Sequence, residues 1–360
     1  TVPVELIKIG HKIISLLLLL YILYFTAFDL TNYFYFHYIT LIFYILVLTL
    51  LFIKKGIFDK KILSFSINLK KLSKEFVKYC SPLLAHSIIG IVAGLFDIWL
   101  LQKMAGSIQT GFYGLACSLA AMCFLFTSAM TPIITREFAK SYEQKDIDKM
   151  KKLFFRFIPM LYSLAAYFGV FISIQSASVL DIFTDDKFKD AYLVLVVMAF
   201  YPIHQTYGQL SGSIFYATGQ TKLIRNVSFI SQPIGMALSF GFVYIFDLGA
   251  VGLALKMIIG QLIAVNIQLY LSSKFLDFKM KHFILHQIYS VLFFAVLAIV
   301  SSSIVSFEST LIYFLVSGSI YTTLVILLAY FFPQIFAITR EEIRKASQIF
   351  FKKRSNKCNE

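Results

Sequence analysis

Charge is scarce in this chain. Only 14% of its 360 residues are Asp, Glu, Lys or Arg, against 59% hydrophobic, and the mean hydropathy is +0.78. A soluble domain carries about 25% charged and roughly 45–50% apolar residues. Surface-to-volume scaling limits how much Leu, Ile and Phe a water-soluble fold can hide. The excess apolar surface therefore faces lipid, which excludes a disordered chain and a secreted disulfide scaffold. Cysteine is sparse too. Cys80, Cys117, Cys123 and Cys358 show no Cys-x-x-Cys spacing, so they frame neither a disulfide network nor a metal site and read as small hydrophobes. Acidic residues are outnumbered 19 to 33, leaving a net charge of +14. Such a surplus could suit nucleic acid, but its distribution along the chain points elsewhere.

A helix of about 20 apolar residues crosses a bilayer, because lipid offers the backbone no hydrogen-bond partners. Ten such runs are present, at about 13–28, 33–53, 79–101, 111–134, 153–176, 191–216, 226–246, 250–272, 284–305 and 310–332. The fold class expected is all-α, a polytopic membrane helix bundle. No small-residue cleavage site follows the first run, so it is not read as a signal peptide. Counting Lys and Arg on alternate sides puts 29 of the 33 on one side and three on the other, with Lys256 alone inside a span. The basic side is the cytoplasmic one, and both ends of the chain are expected there. The charge is thus a topology signal with a lesser role at anionic lipid headgroups, and no nucleic-acid partner is expected.

The 54–78 loop has a pattern of its own. Phe65, Leu69, Leu72 and Phe76 share one helical face, and Lys70, Lys71, Lys74 and Lys78 the opposite one. That predicts an amphipathic helix over 60–78 on the inner membrane surface, linking two bundles.

Three segments carry a family resemblance. The first, SPLLAHSIIGIVAGLFDIWLLQKMAGSIQTGFYGLACSL, has a late Asp, a short outer loop and a Gly-x-Tyr-Gly entry into the next helix. In the second, SAMTPIITREFAKSYEQKDIDKMKKLF, Pro132 closes a helix before a charged inner loop. The third, YPIHQTYGQLSGSIFYATGQTKLIRN, is a Gly-rich span ending in a Thr-Gly-Gln turn. In this order residues 79–273 resemble the Wzx-type oligosaccharide (O-antigen) flippases, polysaccharide transporters of the MATE-like multidrug/oligosaccharidyl-lipid/polysaccharide exporter superfamily. The resemblance implies a MATE-like second lobe over 79–273 and an appended helix pair over 274–336. Residues 1–53 would be the last two helices of a first lobe, 54–78 a cytoplasmic linker and 337–360 a basic cytoplasmic tail. It also implies that the sequence is a fragment lacking the first helices.

By the same resemblance, the function is translocation of undecaprenyl-pyrophosphate-linked oligosaccharide units across the bacterial inner membrane, for O-antigen or capsule synthesis. The partners implied are the lipid-linked oligosaccharide, membrane lipids, a polysaccharide polymerase and a chain-length regulator; no cofactor is implied. The alternative is a MATE-type drug or cation antiporter. A membrane-embedded glycan polymerase or ligase would need a large outer loop with catalytic groups. The longest outer loop, near 177–190, is about a dozen residues without such a set, so no enzyme is expected.

Seven side chains are candidates for the site. Asp97, beside the lone Trp99 near the outer end of its span, is either an interfacial anchor or an ion-coupling group. Lys256 is either a lumen-facing cation for the lipid diphosphate or a lysine snorkelling to the headgroups. His204, Gln205 and Gln209, in a span too polar to face lipid, either contact sugar hydroxyls or hold helices together. In that span Pro202 would free a backbone carbonyl. Arg136 and Arg225, at inner helix ends, either receive the diphosphate or mark topology. The GxxxG pairs Gly90/Gly94 and Gly208/Gly212 predict close helix packing, and His86 a packing role.

Overall fold

The computed structural model describes residues 2–25, 29–54 and 69–337, and among these every regular element is helical. The chain divides into two compact units, residues 1–74 and 75–360. In the first, α1 (Val2–Phe25) packs on α2 (Leu30–Lys54). Asp29 begins α2 by accepting the Asn32 N–H at 2.7 Å, a side-chain N-cap. His11 meets the Thr40 carbonyl at 3.1 Å. Most large apolar side chains of both helices are exposed, as lipid-facing positions are.

The second unit begins within α3 (Leu69–Ala121). Residues 69–78 belong to the same unbroken helix as the span that follows, rather than to a separate surface helix; residues 60–68 of the expected linker helix lie outside the described residues. A straight helix of 53 residues would run about 80 Å, more than twice the ~30 Å hydrocarbon core. It is broken at Gly106, whose φ of 83° and ψ of −180° are open to glycine because it has no Cβ. Leu100 and Leu101 before the break share one buried cluster with Phe112 and Tyr113 after it, so the chain doubles back there. Expected spans 79–101 and 111–134 thus occupy a single stretch, Lys70–Glu143, one of eight helical segments long and apolar enough to cross a membrane among the described residues.

The remaining elements are α4 (Leu125–Glu143), α5 (Ile147–Ile174), α6 (Ser176–Phe183), α7 (Tyr192–Met198), α8 (Tyr201–Ala217), α9 (Thr221–Ser239), α10 (Gly249–Leu276), α11 (Lys281–Ile304) and α12 (Thr310–Phe331). Local chemistry sets several boundaries. Asp146 caps α5 by accepting the Lys149 N–H at 2.8 Å, and Gly219, at φ 71°, makes the turn between α8 and α9. Two proline expectations are corrected. Pro132 does not close a helix but lies inside α4; its missing N–H frees the Ser128 carbonyl, a loss that helices packed in a membrane tolerate. Pro202 frees no mid-span carbonyl. The 191–216 run is broken at Ala199–Phe200, and Pro202 sits in the first turn of α8, where a helix N–H has no partner to lose.

Helix direction follows from which residues touch. On α3 and α9, His86 meets Ser228 and Asp97 meets Ser239, so the two helices run parallel. On α8 and α10, Gln205 meets Gln261 and Ser211 meets Gln268, again parallel. On α5 and α12, Tyr167 meets Thr322 while Gln175 meets Ser317, so these run antiparallel. All three relations fit strictly alternating spans. The largest buried cluster centres on α5 and α8, with Phe154, Ile158, Tyr162 and Tyr207 fully buried. α11 and the turn Pro333–Phe336 join it through His286, which bonds Tyr207 and the Ile335 carbonyl at 3.1 and 2.9 Å. Cys80, Cys117 and Cys123 are free thiols; Cys358 lies outside the described residues.

Candidate functional site

Three helices of the second unit carry a polar or glycine stripe at three- to four-residue spacing, the spacing that keeps side chains on one helical face. On α3 it is His86, Gly90, Gly94 and Asp97; on α9, Ser228, Ser231, Gln232, Gly235 and Ser239; on α10, Lys256, Gly260, Gln261, Ala264 and Gln268. These stripes line two cavities. One, of about 200 Å³, is bounded by Gly90, Gly94, Asp97, Gly235, Lys256 and Gly260. The other, of about 420 Å³, is bounded by His86, Gln205, Gln209, Ser228 and Gln268. Tyr201, Ser231, Gln232, Gln261 and Ala264 line both, so the two adjoin along a shared wall and together are termed the polar passage.

At one end Asp97 and Lys256 form a buried ion pair, with 5% and 6% of each residue exposed. Lys256 Nζ donates to Asp97 Oδ2 and Ser239 Oγ donates to Asp97 Oδ1, the latter at 2.6 Å. Pairing and hydrogen bonding offset the several-kcal/mol cost of moving two charges out of water. This corrects two expectations. Asp97 is not an interfacial anchor, and Lys256 does not snorkel. Trp99 remains exposed, with Lys103 Nζ 5.0 Å from its ring centroid, because it points away from the face that carries Asp97.

Along the rest of the passage five glutamines converge, Gln205 and Gln209 from α8, Gln232 from α9, and Gln261 and Gln268 from α10. Gln261 Nε2 donates to Gln205 Oε1, and Ser211 Oγ to Gln268 Oε1 at 3.4 Å. His86 shares a hydrogen bond with Ser228 and lines the cavity instead of merely packing. Among the described residues the ion pair holds the only acidic and lysine or arginine side chains lining the passage.

Gln205 and Gln209 are therefore brought together at the passage. His204 is not; adjacent helix residues diverge by about 100°, and its ring lies beside Tyr162, 3.5 Å from that hydroxyl. Arg225 bonds Asn226 at 2.9 Å and Arg136 is exposed; neither lines the passage. The two glycine pairs part company. A Cβ at Gly208 would lie 2.9 Å from Val265, so α8 and α10 do approach closely there, whereas Cβ atoms at Gly90 and Gly94 would meet nothing within 4 Å. That pair is cavity wall, not helix contact, which corrects the packing expectation. Gln232, Gln261, Gln268 and Ser239 were not singled out from the sequence, although the α9 stripe was visible at helical spacing. Among the described residues no cluster of His, Cys, Asp and Glu is placed to hold a metal ion.

No protein-family model and no curated protein matches the sequence significantly. Solved structures do match in fold. An outward-facing multidrug resistance MATE family transporter of the MOP superfamily aligns at TM-score 0.61 and 16% identity, over 76% of this chain and 62% of that one. A second MATE structure, that of a point mutant, aligns at TM-score 0.58 and 17% identity, over 67% and 55%. A MOP superfamily transporter from Pyrococcus furiosus, described as having a binding pocket of reverse polarity, aligns at TM-score 0.56 and 16% identity, over 67% and 56%. The chain thus spans less than two thirds of each neighbour's length. Its fold is MATE-like, and the chain is a multi-pass, all-α membrane protein.

Proposed function

We propose that this chain forms part of a flippase that moves polyprenyl-diphosphate-linked oligosaccharides across the bacterial inner membrane. The observation that carries the reading is the lining of the passage, five glutamines and several hydroxyls with an internally neutral ion pair at one end. An amide offers two donors and two acceptor lone pairs on a flat group, and so suits the dense, uncharged hydroxyls of sugars. A site for cationic drugs calls for an uncompensated carboxylate, and the only carboxylate lining the passage among the described residues is already paired with Lys256. The glutamine cavity would take the sugars, and Lys256 is the cation at hand for the lipid diphosphate. Flipping requires no bond chemistry, only access that alternates between the two sides, which in such folds is rocking of one bundle against another.

The MATE-type antiporter remains the second reading. It is favoured by the carboxylate of Asp97 at the passage and by the MATE names of the structural neighbours. Vesicles carrying the purified full-length protein separate the two. A lipid-diphosphate-linked oligosaccharide should cross at a rate above protein-free vesicles, and a cationic drug should neither cross nor compete. Drug transport without glycan transport would favour the antiporter.

In this reading both ends of the chain face the cytoplasm. Reporter fusions after Lys281 and after Glu308 should report inside and outside respectively; the same side at both would overturn the orientation.

A further inference from the structure

The ion pair occupies the cation that the proposed substrate's headgroup would need, the one lysine or arginine lining the passage among the described residues. We infer that Asp97 is a built-in stand-in for the substrate's phosphate, and that an arriving diphosphate displaces it from Lys256 and so opens a clasp between three helices. The inference rests on the flippase reading and adds to it how that substrate is sensed.

Asp97 lies on α3, Ser239 on α9 and Lys256 on α10, so the three side chains tie three helices at one point. A lysine ammonium has three N–H donors, one of which is taken up by Asp97. The space beside it is walled by glycines, and Cβ atoms at Gly90, Gly94 and Gly260 would meet nothing within 4 Å. An anion can therefore reach Lys256 against bare backbone, and Lys binds phosphate as a point charge. Once there, it stands near the Asp97 carboxylate in a buried site, where like charges repel far more strongly than in water. One ammonium cannot neutralise both anions, and the diphosphate carries more charge.

Ser239 gives the displaced carboxylate somewhere to stay. Its hydroxyl already holds Asp97 Oδ1 at 2.6 Å, so Asp97 keeps a hydrogen bond when Lys256 turns away. Ser239 is also the last residue before a π-helical turn, Phe240–Ile245, a departure from α geometry often found at functional positions. A ligand shifts a conformational equilibrium only by its differential affinity for the two states. Exchange of one anion for another on Lys256 supplies that difference, because the clasp is closed without the diphosphate and open with it.

The test is binding of farnesyl diphosphate, with farnesol as the uncharged control, to the purified full-length protein and its variants. Wild type should prefer the diphosphate. Asp97→Asn, which removes the competing charge but keeps its shape, should bind the diphosphate at least tenfold tighter than wild type, with farnesol binding unchanged. Its glycan turnover should fall, since headgroup release loses the returning carboxylate. Ser239→Ala, a milder change that keeps the protein assessable if Asp97→Asn fails to fold, should weaken diphosphate binding a few-fold with farnesol binding unchanged, because the displaced carboxylate then has no hydrogen bond to keep. If wild type prefers the diphosphate but Asp97→Asn does not tighten it, or, where that variant fails to fold, Ser239→Ala does not weaken it, the clasp is overturned and the flippase reading stands. If wild type binds farnesol and the diphosphate equally, the flippase reading falls and the clasp with it.

Discussion

Truncating one member of the buried pair, by Asp97→Ala or by Lys256→Ala, should cost about 3–5 kcal/mol of stability, since each leaves its partner as an uncompensated buried charge. Truncating both should recover most of that loss. Both residues are about nineteen-twentieths buried and face each other, so the charge left behind by a truncation is largely shielded from water. Surface pairs behave otherwise. Asp186 and Lys189 lie 2.8 Å apart but are largely exposed, and pairs of that kind contribute little. Unfolding of the four proteins, measured in the same detergent, gives the coupling energy as the departure from additivity. A double variant as unstable as the sum of the two singles would show that the pair is not a pair in solution.

The second large effect is steric. Gly169→Ala should destabilise the second unit by about 1–3 kcal/mol, the usual cost of overpacking a close contact. A Cβ there would sit 2.6 Å from the Ala199 carbonyl oxygen and 2.9 Å from Ile203. The first neighbour is backbone, at the break between α7 and α8, and it cannot rotate aside. In lipid, where apolar side chains gain nothing by leaving a solvent as apolar as themselves, helices associate through such small-residue contacts. Gly94→Ala is the matched control. Its Cβ meets nothing, so stability should change by less than about 0.5 kcal/mol or rise slightly from the better helix former. A thermal unfolding comparison in which both substitutions behave alike would remove the distinction between contact glycines and cavity glycines.

That distinction also shows what could be learned from the sequence. Gly90/Gly94 and Gly208/Gly212 have identical spacing and both line cavities, yet only the second pair is also a helix contact, against Val265 and Gln268. What stands opposite a helix face is decided by tertiary placement, which local spacing does not encode. The same holds for Asp97 and Lys256, 159 residues apart. Each could be recognised as costly in a membrane, but nothing in either neighbourhood names the other. By contrast, the helical runs were legible because a bilayer demands long, internally bonded apolar segments. So were the Thr-Gly-Gln turn at Gly219 and the place of Gln205 and Gln209 in a polar span. Pro132 misled because a proline that ends a helix in water can persist inside one in lipid, where packing against neighbouring helices and local adjustment of the backbone tolerate the missing N–H. His204 misled because it was grouped with Gln205 by adjacency, whereas neighbours on a helix point about 100° apart and meet different company.

The central claim is that the amide-lined passage holds sugar. The most direct measurement is the vesicle transport assay run with wild type and with Gln261→Leu, which keeps bulk but removes the amide that bridges to Gln205. The account predicts that a lipid-diphosphate-linked oligosaccharide crosses with wild type, that its rate falls at least tenfold with Gln261→Leu, and that no cationic drug is carried by either. Undiminished glycan transport by Gln261→Leu, or drug transport by wild type without glycan transport, would contradict it.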